Sequence, residues 1–134
     1  MSTEPALTLI KLAHTVIWTV MAVAIVLVPI AALRGRFRLA GWLTALVAAE
    51  CIVLALNGGR CPLTDLAARF TTDRSANFDI YLPLRLAAHN KAIFGGLFLL
   101  GELVCLWRWV KSRSVANRRS FDSGAQRSAR PRAG

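Results

Sequence analysis

The sequence predicts an all-α integral membrane protein: three transmembrane helices with a short interfacial helix on the extracytoplasmic side. Three observations carry that reading. The chain of 134 residues is 55% hydrophobic, with a mean hydropathy of +0.48, high for a soluble domain that must keep a polar surface. Its apolar residues gather in three runs that show neither the period-two alternation of strands nor the polar face of a soluble amphipathic helix. Its positive charge, +10 in all, lies mainly between and after those runs. In a soluble protein such a charge would point to nucleic acid; here it reads as a topology signal, and no nucleic-acid partner is expected.

The first run, "LAHTVIWTVMAVAIVLVPIAAL" over residues 12–33, is long enough to cross a hydrocarbon core of ~30 Å. Pro29 near its end is tolerated in a membrane helix. A cleaved signal peptide is the competing reading, but the run exceeds the usual ~7–15 apolar residues and its start is not markedly basic. The second run, residues 39–56, is interrupted only by Glu50. The third, residues 92–110, carries Glu102 and then Arg108.

Arg34, Arg36 and Arg38 follow the first run, and a basic tail follows the third. Both are expected on the cytoplasmic side. The N-terminus and the 57–91 segment then lie outside, in a cell inner membrane. Two regions result: a three-span membrane domain over residues 1–111, and a basic tail over 112–134. The tail is too poor in apolar residues to bury a core and is expected to be disordered.

Within the outer segment, Asn57-Gly58-Gly59 ends the second helix in the left-handed conformation that Gly and Asn accept. Pro62 suits the first turn of a short surface helix, "PLTDLAARF". "TTDRSANFD" reads as turns, and a helix beginning near Pro83 runs into the third span.

His14 early in the first span and Cys61-Pro62-Leu63-Thr64 after the second resemble a bacterial family of small multi-spanning membrane proteins known only as a domain of unknown function. The likeness covers residues 10 to 100. Asp65 is a loose counterpart of an acidic residue after the motif, and "NFDIYLP" and "HNK" look like subgroup features. The resemblance implies no activity.

Glu50 and Glu102 are the polar intramembrane residues. An ionised carboxylate at mid-bilayer costs ~2.5–3.5 kcal/mol, so such groups have partners or line a path. Counting depth along the helices pairs Glu50 with Thr19 and Glu102 with Thr44; Arg108 can reach back to water. Gly41, Ala45 and Ala49, with Ala92 and Gly96, repeat the small-residue spacing that lets membrane helices approach, within one bundle or a homo-oligomer.

The two histidines, His14 and His89, fall near the outer ends of different helices. Facing each other they could hold haem or a metal ion; the plainer reading bonds His14 to a neighbour such as Asp79. Cys61 lacks paired Cys or His spacing, which argues against a structural zinc site. No known catalytic motif is present. The sequence therefore points to a non-enzymatic accessory or scaffold protein, with the bilayer and a membrane-protein partner or second copy as its surroundings. The alternatives are a redox, metal or haem protein using His14 and His89, or an ion- or proton-handling subunit using Glu50 and Glu102.

Overall fold

The computed structural model describes residues 3–128. Four helices follow in order: α1 (Thr3–Leu33), α2 (Phe37–Leu56), α3 (Pro62–Ala67) and α4 (Leu84–Ser128). No strand occurs among the described residues. α1, α2 and α4 are each long and apolar enough to cross a membrane.

Each helix ends where its local chemistry says it must. α1 stops at Gly35, whose φ of +72° lets the Gly35 and Arg36 amides fold back onto the Ala32 and Ala31 carbonyls at 3.0 and 2.9 Å. This is the Schellman arrangement that satisfies orphan carbonyls. α2 ends in the same way, as expected from Asn57-Gly58-Gly59. Gly58 has φ +64°, and the Gly59 amide donates to the Leu54 carbonyl at 2.7 Å. Pro62 opens α3, where its missing N–H costs nothing. α4 begins directly after Pro83.

α1 is the hub: it packs against both α2 and α4, which touch each other only slightly. Its inward residues recur at alternating spacings of three and four, the repeat that keeps one seam facing a partner helix. They include Ile25, Val28 and Ala32, all buried. Ala24, Ile25 and Val47 form the central cluster, with Met21, Leu43, Phe94 and Phe98 packed around it.

At Gly101, α4 lies close against α1. A Cβ there would stand 3.1 Å from Pro29 Cδ and 3.8 Å from the Ile25 carbonyl oxygen. Pro29 cannot donate to that carbonyl, so the smallest residue of α4 sits against the point where the α1 ladder is open.

Three expectations are corrected. The small-residue stripe does not pack the bundle: Gly41, Ala45, Ala49, Ala92 and Gly96 are all exposed. The seams use Ala40 and Val47 on α2 and Gly101 on α4 instead. Thr19 does not pair with Glu50, because its hydroxyl turns back to the Thr15 carbonyl at 2.8 Å. The tail is helical through Ser128; residues 129–134 lie outside the described residues. The tail buries nothing, and its side chains are exposed over residues 111–126. Its helix extends a preformed one, so the nucleation cost is already met. Arg, Ala and Gln also favour the helix, and Ser residues bond back to carbonyls one turn away.

Candidate functional site: a polar cluster at the mouth of an apolar cavity

α3 and the loop after it fold back onto α1, which starts well before the apolar run. Ala6 and Ile10 on that early stretch are buried, and the Tyr81 amide donates to Thr15 Oγ1 at 3.0 Å. Turns at Ser75–Phe78 and Asn77–Ile80, braced by an Asn77 Nδ2 bond to the Leu82 carbonyl at 2.9 Å, deliver Asp79 against α1. Asp79 is 5% exposed, the one buried charged side chain among the described residues.

A buried carboxylate needs donors, and Asp79 has two. His14 Nδ1 lies 3.1 Å from Asp79 Oδ2 and 3.2 Å from the Asp79 carbonyl oxygen. Thr64 Oγ1 donates to the same Oδ2. Burial alone would raise the Asp79 pKa; the hydrogen bonds from His14 and Thr64 outweigh it and hold the carboxyl below its ordinary value. Both partners of His14 Nδ1 accept, so that nitrogen carries a proton.

Cys61 completes the cluster. It lines the same cavity as His14, and it is a free, half-buried cysteine. Cys61 and Thr64 are three apart at the start of α3, a spacing that puts them on one face. Thr64 therefore reaches the carboxylate that holds the His14 ring, and Cys61 lines the cavity beside it. Pro62 starts the turn that carries both. In "CPLT", Thr64 touches the cluster, Cys61 lines the cavity, Pro62 shapes the turn, and Leu63 is half-buried beside it.

The cluster lines a cavity of about 450 Å³, within the ~300–1,000 Å³ of small-molecule sites. Met21, Ile25, Val47, Leu54, Phe94 and Phe98 supply apolar walls, while Glu50, Asn90 and Lys91 add polar groups. Asn90 is held by Trp18, whose Nε1 donates to Asn90 Oδ1 at 2.8 Å. Trp18 also stacks edge-on to Phe94 with ring centroids 5.1 Å apart. Lys91 Nζ donates to the Gly59 carbonyl, tying α4 to the α2 terminus. Asp65 faces away from the cluster towards Asn57, at 2.8 Å, and Arg60, at 3.5 Å.

The sequence-predicted site residues divide. His14, Glu50, Cys61 and Thr64 line one cavity. His89 does not: it is exposed and bonds the Arg85 carbonyl one turn back at 3.0 Å. Glu102 lies elsewhere, accepting from Thr44 at 2.6 Å, the pairing that depth counting expected. Arg108, near the same end, donates to the Leu33 carbonyl at 3.1 Å. Among the described residues no group of three His, Cys, Asp or Glu side chains is arranged to hold a metal ion. Sequence spacing did not pair Cys61 with His14, which sit on elements far apart in the chain. The shared depth of His14 and the outer segment was the available signal. Comparison with models of known protein families, with curated proteins and with solved structures yields no match.

Proposed function

We propose that this chain is a three-span protein of a bacterial inner membrane that binds an amphiphilic ligand, its polar head at the His14–Asp79 cluster and its apolar chain between α1, α2 and α4. The carrying observation is the cavity, which joins apolar walls to convergent polar groups from α1, α3, α4 and the loop. Such a combination fixes a ligand's orientation while burying most of its surface. The accessory role expected from the sequence then becomes the carrying or presenting of such a molecule. The signature by which the chain resembles the bacterial family falls in this site.

Insertion is supported by the exposed apolar belt. Leu12, Val16, Val20 and Val23 of α1, and Leu99, Leu100 and Leu103 of α4, all face outwards, far more than a soluble monomer leaves bare. Arg34, Arg36 and Arg38 share one end of the bundle with Lys111 and Arg113, which supports a cytoplasmic tail and an outer loop. At that end Arg113 stands 4.0 Å from the Trp109 ring centre and Lys111 5.2 Å from that of Trp107, the aromatic-and-cation edge of a bilayer. Haem or metal held between His14 and His89 has less support, since only His14 lines the cavity.

The test uses full-length protein in detergent with Trp42, Trp107 and Trp109 replaced by Phe, leaving Trp18 as reporter. A fatty ester brominated in its chain should quench Trp18 saturably, and the unbrominated ester should reverse it. Ala22→Phe, which fills the cavity, should abolish saturation. Quenching that is linear in ester and equal in both proteins would mean simple micelle partitioning and would refute the binding site.

A further inference from the structure

We infer that Glu50 sets the ligand specificity of the cavity, and that the amphiphile it selects carries a hydroxyl group partway down its apolar chain. This rests on the cavity being an amphiphile site and deepens that reading. The acidic and basic side chains lining the cavity are His14, Glu50, Arg60, Asp79 and Lys91. All but Glu50 are matched within the protein. His14 and Asp79 hold each other at 3.1 Å, Arg60 stands 3.5 Å from Asp65, and Lys91 donates to the Gly59 carbonyl. Among the described residues no hydrogen bond or ion pair reaches the Glu50 carboxyl. Glu102, the other carboxyl within a span, has its donor in Thr44 at 2.6 Å. The hydroxyl that matches Glu50 in depth, that of Thr19, is turned to the Thr15 carbonyl at 2.8 Å. A half-buried carboxyl among apolar walls needs a donor, and in either protonation state it has an oxygen that accepts one.

Depth says where on the ligand that donor sits. Glu50 lies thirteen residues after the start of α2 at Phe37, and His14 nineteen before the end of α1 at Leu33. At ~1.5 Å per residue, Glu50 is about 9 Å deeper than His14. Packing agrees, since Val47, one turn deeper still, joins Ala24 and Ile25 in the central cluster. A head at the His14–Asp79 cluster therefore puts Glu50 beside the chain. On the α4 wall at this level is Gly95, where an added Cβ would meet nothing within 4 Å. The chain has room there for a substituent. A hydroxyl suits the place: it supplies the donor with one neutral polar atom, whereas an ammonium would bring a second charge out of water.

The experiment uses the full chain in detergent with Trp18 as reporter and the brominated ester bound. Methyl 10-hydroxystearate, methyl 2-hydroxystearate and methyl stearate are titrated in, and the concentration restoring half of the Trp18 fluorescence is read. The 10-hydroxy ester should need about tenfold less than either of the others, the worth of a strong hydrogen bond. Glu50→Leu should remove that preference and keep saturable quenching, which reports an intact cavity. Glu50→Gln, which keeps an acceptor oxygen, should retain part of the preference. Equal displacement by the two hydroxy esters, or a preference that survives Glu50→Leu, would overturn the hydroxyl assignment and leave the binding reading standing. So would octadecylamine displacing better than methyl 10-hydroxystearate in a way that Glu50→Leu removes, since Glu50 would then select a cation. Absence of saturable quenching in the chain with Glu50 intact would remove both.

Discussion

The two ends of the bundle are held together by different means. At the tail end the helices meet backbone to backbone: Gly101 against Pro29, Val28 fully buried, Thr44 bonded to Glu102 and Arg108 to the α1 terminus. At the loop end a cavity opens among the helices, and its rim is tied by side chains: His14 to Asp79, Thr64 to Asp79, Trp18 to Asn90, Lys91 to Gly59. Close packing leaves no room for a ligand, whereas polar struts around apolar walls leave a cavity. The tail end therefore supplies rigidity, and the loop end can be opened without dismantling the bundle.

The largest effect should come from breaking the closed end. Gly101→Leu forces a side chain into a gap where even a Cβ meets Pro29 at 3.1 Å. Overpacking of this kind costs about 1–3 kcal/mol, and a rigid proline ring cannot yield easily. Thermal unfolding in detergent, followed by circular dichroism, should show a lowered midpoint. Gly41→Leu, on an exposed face of α2 with nothing within 4 Å of its Cβ, should leave the midpoint nearly unchanged.

Asp79→Ala comes next, because it strips His14 and Thr64 of a shared buried acceptor. The expected cost is about 1–3 kcal/mol, with increased proteolysis confined to the 68–83 segment while the long helices stay protected. Acid should imitate it. The Asp79 carboxyl titrates below its ordinary value in the folded protein, so its contribution is fully present above the unfolded-state pKa, near 3.8. It is lost as pH falls through the lower folded-state pKa. An unfolding midpoint measured against pH should fall in that acid window, and the portion due to this group should vanish in Asp79→Asn.

These two ends were unequally legible in the sequence. Helix ends were readable wherever one residue type decides the backbone: Gly58 and Gly59 after α2, Pro62 at the start of α3, Pro83 before α4. The Thr44–Glu102 bond followed from rise per residue alone, and the neighbourhood of His14 and Asp79 from matching ends. Seam choice was not readable, because on α2 the Gly41–Ala45–Ala49 face and the face of Ala40 and Val47 both satisfy a helical repeat, and only packing selects between them. That Cys61 and His14 line one cavity depends on the loop after α3 folding onto α1, a tertiary event with no local spacing to announce it. The helical tail was missed because composition speaks to burial, whereas this segment is carried by the helix before it.

Smaller effects sharpen the contrast. Thr44→Val should cost only about 0.6 kcal/mol, the average for a hydrogen bond between membrane helices, measured as a modest midpoint shift. Arg118→Glu with Arg119→Glu, on the fully exposed part of α4, should leave stability within about 0.5 kcal/mol. The same pair should weaken association of the isolated tail peptide with anionic vesicles by about 1 kcal/mol per charge removed.

The account stands most directly on whether the cavity at the loop end holds a molecule. Native mass spectrometry of the full chain, released from detergent after mild purification or after titration with a fatty ester, reads this without a reporter. The account predicts one apolar-chain ligand per protein chain, retained by Gly41→Leu and lost by the cavity-filling Ala22→Phe. A chain that never carries the added mass, or carries it equally in Ala22→Phe, would contradict it.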